Sequence, residues 1–350
     1  MMQLPVKKIL TNLLLSSTTF IVLGVASAVK AETFSAADDF SATNNPNGVW
    51  TYGYASDFQN TKPLGSNSFF VYNFPYQLCN IDAWSNSSIL NPSVSHNGTL
   101  TPLSCSNMTF PPGQLAFHPG PNREYSFVRW TAPQTTQSIN YYINVTFTGL
   151  DPHPTTTDVH IVHYGASLPS TGEQLFTYSI NGYSRNSGKS FSQVLLISPG
   201  DIIDFVVGAG DDGTYDYDTT GLDAIISTVN PFVVTSTNDD GSAKQIGTLS
   251  YALKHATIGG SITFALPTGN TVYVTNQLPP VPTQVTIDGG ACTSGPAITI
   301  DGSQIQNTSA PGLVLSGQDT LHSLKVTHFP NQQITNTGGG NKLSCVQAVK

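Results

Sequence analysis

Residues 200–226 read GDIIDFVVGAGDDGTYDYDTTGLDAII, and this stretch decides the fold of the first half of the chain. Its first part alternates apolar and other residues, which predicts a strand with one strongly apolar face. That face carries Ile203, Phe205 and Val207. Gly208 and Gly210 end the strand, and a second strand is predicted over 222–226. An acidic loop therefore joins two strands of an all-β domain.

The loop places four aspartates within eight residues: Asp211, Asp212, Asp216 and Asp218. Hard oxygen ligands on a Gly-rich loop suit calcium, so these four residues are predicted to bind Ca²⁺. The loop is not an EF-hand, because the ligand order and the closing glutamate of that motif are missing. The alternative is a solvated acidic turn, in which Asp218 or Asp223 accepts hydrogen bonds from backbone amides.

Two sets of aromatic residues are candidates for ligand binding. Trp50, Tyr52 and Tyr54 share one face of a predicted strand and would form a flat platform for sugar rings. The alternative is that these rings fill the core beside Trp130. The second set flanks the acidic residues, where few apolar neighbours would cover it, and consists of Tyr215 and Tyr217.

Composition limits the class of protein. Only 10% of the 350 residues are charged, glycine (31) and proline (23) are frequent, and the formal net charge is −8. A turn-rich chain of low charge is typical of all-β exported proteins. An acidic chain with few arginines argues against nucleic acid as a partner, since phosphate binding needs clustered positive charge.

Residues 1–31 have the pattern of a secretory signal. Lys7 and Lys8 precede a mostly apolar run, and Ala26-Ser27-Ala28 and Val29-Lys30-Ala31 offer small residues for cleavage. No later stretch is apolar enough to span a bilayer. The sequence therefore predicts a secreted or cell-surface protein without a membrane span in the mature chain.

The remaining chain is long enough for two domains. Residues 32–230 carry about eight strand patterns without helical periodicity, which predicts a β-sandwich or jelly roll. Residues 231–350 begin with a strand and a short helix capped by Thr248, and continue with short strands. Two near copies, VTIDG at 285–289 and ITIDG at 298–302, are the local repetition of a solenoid.

Four cysteines lie two in each half, and export favours pairing within the halves. The predicted bridges are Cys79–Cys105 and Cys292–Cys345. A zinc site is the weaker alternative, because no CxxC or CxH spacing exists.

The first half resembles a jelly-roll module of exported bacterial proteins. The resemblance rests on NPNGVWTYG at 45–53, FHPG at 117–120, VRWTAP at 128–133 and the stretch from Gly200 to Asp223. That module is similar in outline to carbohydrate-binding sandwiches, which implies a binding role.

The second half resembles the start of a right-handed parallel β-helix of the pectin-lyase-like kind. The carrying residues are TNDDG at 237–241, GTLSYA at 247–252, ITFALP at 262–267 and the two TIDG copies. The resemblance implies a capping strand and helix, then about three stacked coils before Lys350. So few coils indicate either a truncated product or an edge covered by another segment.

The sequence gives little support for a catalytic site. His160 and His163 would point to opposite faces of one strand, so they are not expected to share a metal ion, whereas Asp158 and His160 are expected to form a hydrogen-bonded pair. Asp288 and Asp301 are expected to end strands with turn hydrogen bonds. No arginine follows Arg185, although lyases of this resemblance use an arginine or lysine base.

The sequence therefore favours a non-catalytic exoprotein that binds polysaccharide or a cell or matrix surface. Two alternatives remain open. One is a polysaccharide lyase or glycoside hydrolase, or the remnant of one, on the β-helix, and the other is a purely structural surface protein.

Overall fold

The computed structural model describes residues 32–58, 69–87, 90–182 and 187–350. The signal predicted over residues 1–31 lies outside the described residues. No helix in the described part of the chain is long and apolar enough to cross a membrane.

The first half, the sandwich half, is built from short and medium strands. They are β1 (Thr33–Ser35), β2 (Trp50–Ala55), β3 (Phe70–Val71), β4 (Phe74–Leu78), β5 (Ile81–Ser85), β6 (Ser93–His96), β7 (Leu103–Cys105), β8 (Met108–Phe110), β9 (Leu115–His118), β10 (Tyr125–Thr131), β11 (Ile139–Gly149), β12 (Asp158–Tyr164), β13 (Glu173–Ser179), β14 (Lys189–Ile197), β15 (Ile202–Gly208) and β16 (Thr220–Ser227).

These strands form two antiparallel sheets and one small hairpin. Sheet I has the order β14-β11-β16-β9-β6-β5-β4, with β1 paired to β16, and sheet II has the order β13-β12-β15-β10-β2-β3. Strands β7 and β8 pair with each other as the hairpin. Alternate residues of both sheets meet in one core that is rich in aromatic rings, among them Trp50, Tyr52, Trp130, Phe147 and Phe205.

The stretch from Gly200 to Ile226 joins the two sheets. Its first strand, β15, lies between β10 and β12 in sheet II, and its second, β16, lies between β11 and β9 in sheet I. The two predicted strands are present, and the acidic loop crosses from one sheet to the other at one end of the sandwich.

The second half, the coil half, begins with a short helix and continues in parallel strands. Its elements are β17 (Val233–Val234), β18 (Asn238–Asp239), α1 (Leu249–His255), β19 (Ser261–Phe264), β20 (Thr271–Val274), β21 (Thr286–Asp288), β22 (Ile298–Asp301), β23 (Leu313–Leu315), β24 (Thr320–Thr327), β25 (Ile334–Asn336) and β26 (Lys342–Val349). Thr248 caps α1 as predicted, since its side chain accepts a hydrogen bond from the Tyr251 amide.

The parallel strands stack as successive rungs of a β-helix. The rungs are β17 with β18, β19 with β20, β21 with β22, then β24, then β26, so the stack is longer than the predicted three or so coils. Strands β23 and β25 pair on another face. The core inside the coils is almost entirely aliphatic, and the large buried ring within it is Phe329.

The two TIDG copies occupy equivalent places in one rung. Ile287 and Ile300 point into the core, and the following aspartates end β21 and β22. Asp288 accepts a hydrogen bond from the Gly290 amide, and Asp301 accepts one from the Ser303 amide. The predicted turn hydrogen bonds are therefore confirmed.

Both predicted disulfides are present. Cys79 bonds Cys105, with Cα atoms 5.5 Å apart, and Cys292 bonds Cys345, with Cα atoms 6.4 Å apart. The fold class, a β-sandwich followed by a short parallel β-helix, is confirmed as well.

Candidate binding surface at the acidic loop

The acidic loop, residues 209–219, lies beside two other connections at its end of the sandwich. One connection runs from β9 to β10 and contains Arg123, and the other runs from β11 to β12 and contains Asp151 and His153. Gly213 has φ of +66°, and its Cα faces the Arg123 guanidinium so closely that a side chain there would collide with it. The positive φ favours glycine at this position, whereas the exposed Arg123 side chain could move aside.

The four aspartates do not form one cluster. Asp211, Asp212 and Asp216 are exposed, whereas Asp218 retains only 1% of its accessible surface. Asp212 Oδ1 accepts a hydrogen bond from the Thr214 amide at 3.0 Å, which closes a local turn.

Asp218 is held beneath the loop by two hydroxyl groups. Its Oδ1 accepts hydrogen bonds from Thr155 and, at 2.6 Å, from Thr157. Burial raises the pKa of Asp218 to about 7, and the nearby charges of Asp212 and Asp158 act in the same direction. The two threonine hydrogen bonds oppose that shift without cancelling it.

No group of three or more His, Cys, Asp or Glu side chains placed to hold a metal ion is found among the described residues. The predicted Ca²⁺ site at Asp211, Asp212, Asp216 and Asp218 stays a prediction. Of its proposed ligands, Asp218 has the protein oxygens of Thr155 and Thr157 as neighbours, and the other three face solvent.

Tyr217 is the exposed ring of the loop. It keeps 46% of its surface accessible, and its backbone has φ of +69°, in the left-handed region that residues other than glycine rarely adopt. The ring stacks on the imidazole of His153, with centroids 4.2 Å apart and planes 25° apart. His153 is in turn fixed by Asp151, whose Oδ1 lies 2.6 Å from Nδ1.

Tyr215 points the other way. It is half-buried, and its ring meets the edge of His118 at a centroid distance of 5.9 Å. His118 Nδ1 lies 2.7 Å from the Pro119 carbonyl oxygen, and burial lowers the pKa of this imidazole. Tyr215 therefore supports the loop from below, while Tyr217 and His153 form its accessible aromatic face.

The predicted aromatic platform on β2 is wrong for two of its three residues. Trp50 (1% exposed) and Tyr52 (0% exposed) point between the sheets and fill the core, the alternative that the sequence left open. Trp50 Nε1 donates a hydrogen bond to Asp39 Oδ2 at 3.0 Å, so even its polar atom is satisfied inside. Tyr54 is half-buried at the end of the same face and stacks on Phe70 and Tyr72.

The histidines of β12 do not share a partner. His160 Nε2 lies 2.6 Å from Asp158 Oδ2, as predicted, and its Nδ1 lies 2.8 Å from the Thr177 hydroxyl. His163 faces the opposite side and lies 3.2 Å from Asp201. The two histidines therefore have separate partners on opposite faces of β12, the side-chain directions that the sequence predicts.

The coil half carries two acid–imidazole pairs on its outer surface. His322 Nδ1 lies 2.9 Å from Asp288 Oδ1, and His328 Nδ1 lies 3.1 Å from Asp301 Oδ2. The hydrogen bond from His322 lowers the pKa of Asp288, so this carboxyl is ionised at neutral pH. Sequence reasoning found the two aspartates but missed their histidine partners.

Sequence reasoning also missed the partners of the loop. These partners lie about sixty residues earlier in the chain: His153 contacts Tyr217, and Thr155 and Thr157 contact Asp218. The sequence separations for the two threonines are 63 and 61. No sequence pattern links these residues, because their contacts join two loops that are far apart in the chain.

Comparisons with known proteins add little beyond the fold. No family model and no curated protein matches the chain. Among solved structures, a family 35 carbohydrate-binding module from Clostridium thermocellum matches 33% of this chain and 78% of its own at 12% identity, TM-score 0.21. The K1 cleaved adhesin domain of Lys-gingipain from Porphyromonas gingivalis W83 matches 57% and 98% at 10% identity, TM-score 0.26.

A third similar structure is the C-terminal family 6 module of the laminarinase LamC from Zobellia galactanivorans, which matches 33% of this chain and 79% of its own. Its identity is 14% and its TM-score 0.20. At such low TM-scores none of these likenesses carries an argument about ligand or activity.

Proposed function

We propose that this protein is a secreted, non-catalytic binder of polysaccharide, and that the sandwich half makes the contact through the loop surface. The loop surface is defined as Tyr217, His153, Asp151 and the exposed aspartates of the acidic loop. The observation that carries the proposal is the exposed Tyr217–His153 stack.

The chemistry of this surface suits a sugar chain. The face of a pyranose ring is apolar and stacks on a flat aromatic ring, while its hydroxyl groups donate to carboxylates at the edges. Because His153 is fixed by Asp151, the stacked pair is a rigid platform that loses little side-chain entropy on binding. By analogy with base stacking, one such ring contributes about 1–3 kcal/mol.

Secretion is part of the same proposal. Two disulfides without free cysteines in the described chain are typical of proteins that fold in an oxidising compartment. The signal predicted over residues 1–31 supplies the export route.

Affinity electrophoresis of the mature chain through gels containing plant and microbial polysaccharides tests the proposal. Tyr217→Ala should weaken retention about tenfold, since about 1.4 kcal/mol corresponds to a factor of ten. The matched control is Tyr178→Ala, which removes a similarly exposed tyrosine (54%) from the edge strand β13. Equal retention of both variants and wild type would disprove the role of the loop surface.

Calcium remains part of the proposal as a stabiliser of the loop. Its support is the chemistry of the donors: Asp218 Oδ2 is buried without a hydrogen-bond partner in the described structure, beside the hydroxyls of Thr155 and Thr157. An ion bound only by the folded state at a hundred times its dissociation constant adds about 2.7 kcal/mol. Thermal melts in calcium and in chelator test this, and an unchanged midpoint, or one that shifts equally in Asp216→Ala/Asp218→Ala, would refute it.

A second candidate function is polysaccharide cleavage by the coil half. The observation in its favour is the pair of outward-facing acid–imidazole contacts, Asp288 with His322 and Asp301 with His328. Assays for reducing sugar and for unsaturated products at about 235 nm test it, with His322→Ala as the variant that should lose activity. Absence of both retention and turnover would leave a purely structural role.

A further inference from the structure

Two clefts lie between the sandwich half and the start of the coil half. The first has a volume of about 580 Å³ and the second about 530 Å³. Both are lined by Thr257 and Ile258, which follow α1, so the clefts adjoin one another at this loop. The two clefts together are here called the groove.

The floor of the groove is the outer face of sheet I. Strand β11 contributes Thr146 and Thr148 to the first cleft and Tyr142 and Asn144 to the second. These residues alternate with Tyr141, Ile143, Val145 and Phe147, which point into the sandwich core. From 142 to 148 the strand advances about 20 Å, so the groove suits an extended chain better than a single ring.

A ligand on the floor of the groove can contact side chains of β11 but not its main-chain hydrogen-bonding groups. Strand β11 is hydrogen-bonded to β14 on one side and to β16 on the other, so its main-chain groups are already paired. A peptide could not add to this surface as a further strand, since that mode needs an open sheet edge. Recognition must come from side-chain hydroxyl and amide groups, which hydrogen-bond one another along the floor: Thr146 with Ser190 at 3.0 Å, and Ser192 with Asn144 at 2.6 Å.

Charged side chains line the first cleft only. In the first cleft Lys254 Nζ lies 3.4 Å from Asp38 Oδ1, and Asp223 lies beside His255 at 3.5 Å. The residues that line the second cleft include no Asp, Glu, Lys or Arg. An acidic polymer would be repelled by two carboxylates, and the lysine there is already paired with one of them. An uncharged polymer meets no such repulsion.

We infer that the groove between sheet I and the loop after α1 binds a neutral polysaccharide chain, in a site separate from the loop surface. The inference takes its ligand class from the proposed function and adds the site, its extent and the preference for uncharged chains. Side-chain hydroxyls and amides that both donate and accept match the hydroxyl groups of such a chain. Residues of both halves are needed to form the site.

The test is affinity electrophoresis of the mature chain in galactomannan and xyloglucan gels, with polygalacturonate as the acidic comparison. Thr257→Trp places an indole where the two clefts adjoin and should reduce retention in the neutral gels at least about tenfold by excluding the chain. Thr268→Trp is the matched control, since Thr268 is an exposed turn residue between β19 and β20 that lines neither cleft.

A second variant covers the case in which Thr257→Trp fails to fold. Thr146→Val/Ser192→Ala removes two hydroxyl groups from the floor without adding bulk and should weaken retention about tenfold. Unchanged retention of the folded groove variants would overturn the inference that the groove binds polysaccharide. The role of the loop surface would then still be decided by Tyr217→Ala. Loss in the groove variants with full retention of Tyr217→Ala supports the groove and contradicts the loop surface. Wild-type retention only in polygalacturonate, or in no gel, overturns the groove.

Discussion

The two halves of the molecule are both built of strands but stabilise their buried charges differently. In the sandwich half, Arg129 and Asp204 face each other across β10 and β15 with two contacts of 2.7 Å. In the coil half, Asp239 and Asp319 are as deeply buried, and their partners are backbone amides instead of a cation: the Ser250 and Gly241 amides for the first, the Val285 and Gly317 amides for the second.

The difference follows from topology. Arg129 and Asp204 are 75 residues apart in the sequence. Their ion pair therefore fixes the register between two strands, β10 and β15, that the chain must bring together from a distance. Each rung of the coil half stacks on its neighbour in sequence order, and buried carboxylates there tie down the turns. A buried ion pair is thus expected to be critical in the sandwich half only.

The largest expected effect comes from breaking that pair. Arg129→Met leaves the fully buried Asp204 without its guanidinium and should lower the free energy of unfolding by about 3–5 kcal/mol. The matched control is Lys325→Met, which changes a half-exposed lysine on β24 and should shift stability by less than about 0.5 kcal/mol. Urea denaturation measures the free energy of unfolding of both variants. A loss in Arg129→Met no larger than that in Lys325→Met would contradict the assigned role of the pair.

The disulfides test whether the halves unfold separately. All three tryptophans, Trp50, Trp84 and Trp130, belong to the sandwich half, so their fluorescence reports on that half alone. On chain entropy, Cys79→Ala/Cys105→Ala should cost about 3.5 kcal/mol and Cys292→Ala/Cys345→Ala about 4 kcal/mol. The sequence separations behind these values are 26 and 53 residues.

We expect the first double variant to shift the fluorescence transition. The second should shift the circular dichroism signal of the coil half and leave fluorescence nearly unchanged. Equal shifts of the fluorescence midpoint in both variants would show that the halves unfold as one unit.

A smaller effect is expected from Asp218 and depends on pH. Its folded pKa of about 7 lies above the ordinary value of 3.8, so between these values the folded state binds more protons than the unfolded state. Stability should therefore fall as pH rises from about 4 to about 7, by about 1–2 kcal/mol once solvent screening is allowed for. Asp218→Asn should flatten this dependence in thermal melts between about pH 4.5 and 8. A variant that keeps the full wild-type slope would assign the effect to another group.

How much the sequence predicts depends on strand length and on contact distance. Apolar residues alternate regularly with others over residues 139–148, and this pattern coincides with β11 to within one residue. Residues 70–118 and 342–349 were missed, because their strands are short or interrupted by positive-φ residues such as Cys79, Ser106 and Cys345. Such breaks erase the period-2 signal within a few residues.

The candidate site shows the same limit. Period-2 alternation shows which residues share a face but not which face is inside, so both a ligand platform and a core position stayed open for Trp50 and Tyr52, which lie in the core. Tyr217 was predicted exposed because its loop lacks apolar neighbours, and it is. Its partner His153 could not be found, since their contact bridges two loops that only the folded sandwich brings together.

The most direct test of the central claim, that the sandwich half binds polysaccharide at the loop surface, is hydrogen–deuterium exchange with and without the glycan that retains the wild-type chain best. We predict slower exchange on binding at residues 209–219 and 150–157, and the loss of that protection in Tyr217→Ala. Protection confined to the coil strands that carry Asp288, Asp301 and their histidines, with residues 209–219 unchanged, would contradict the account.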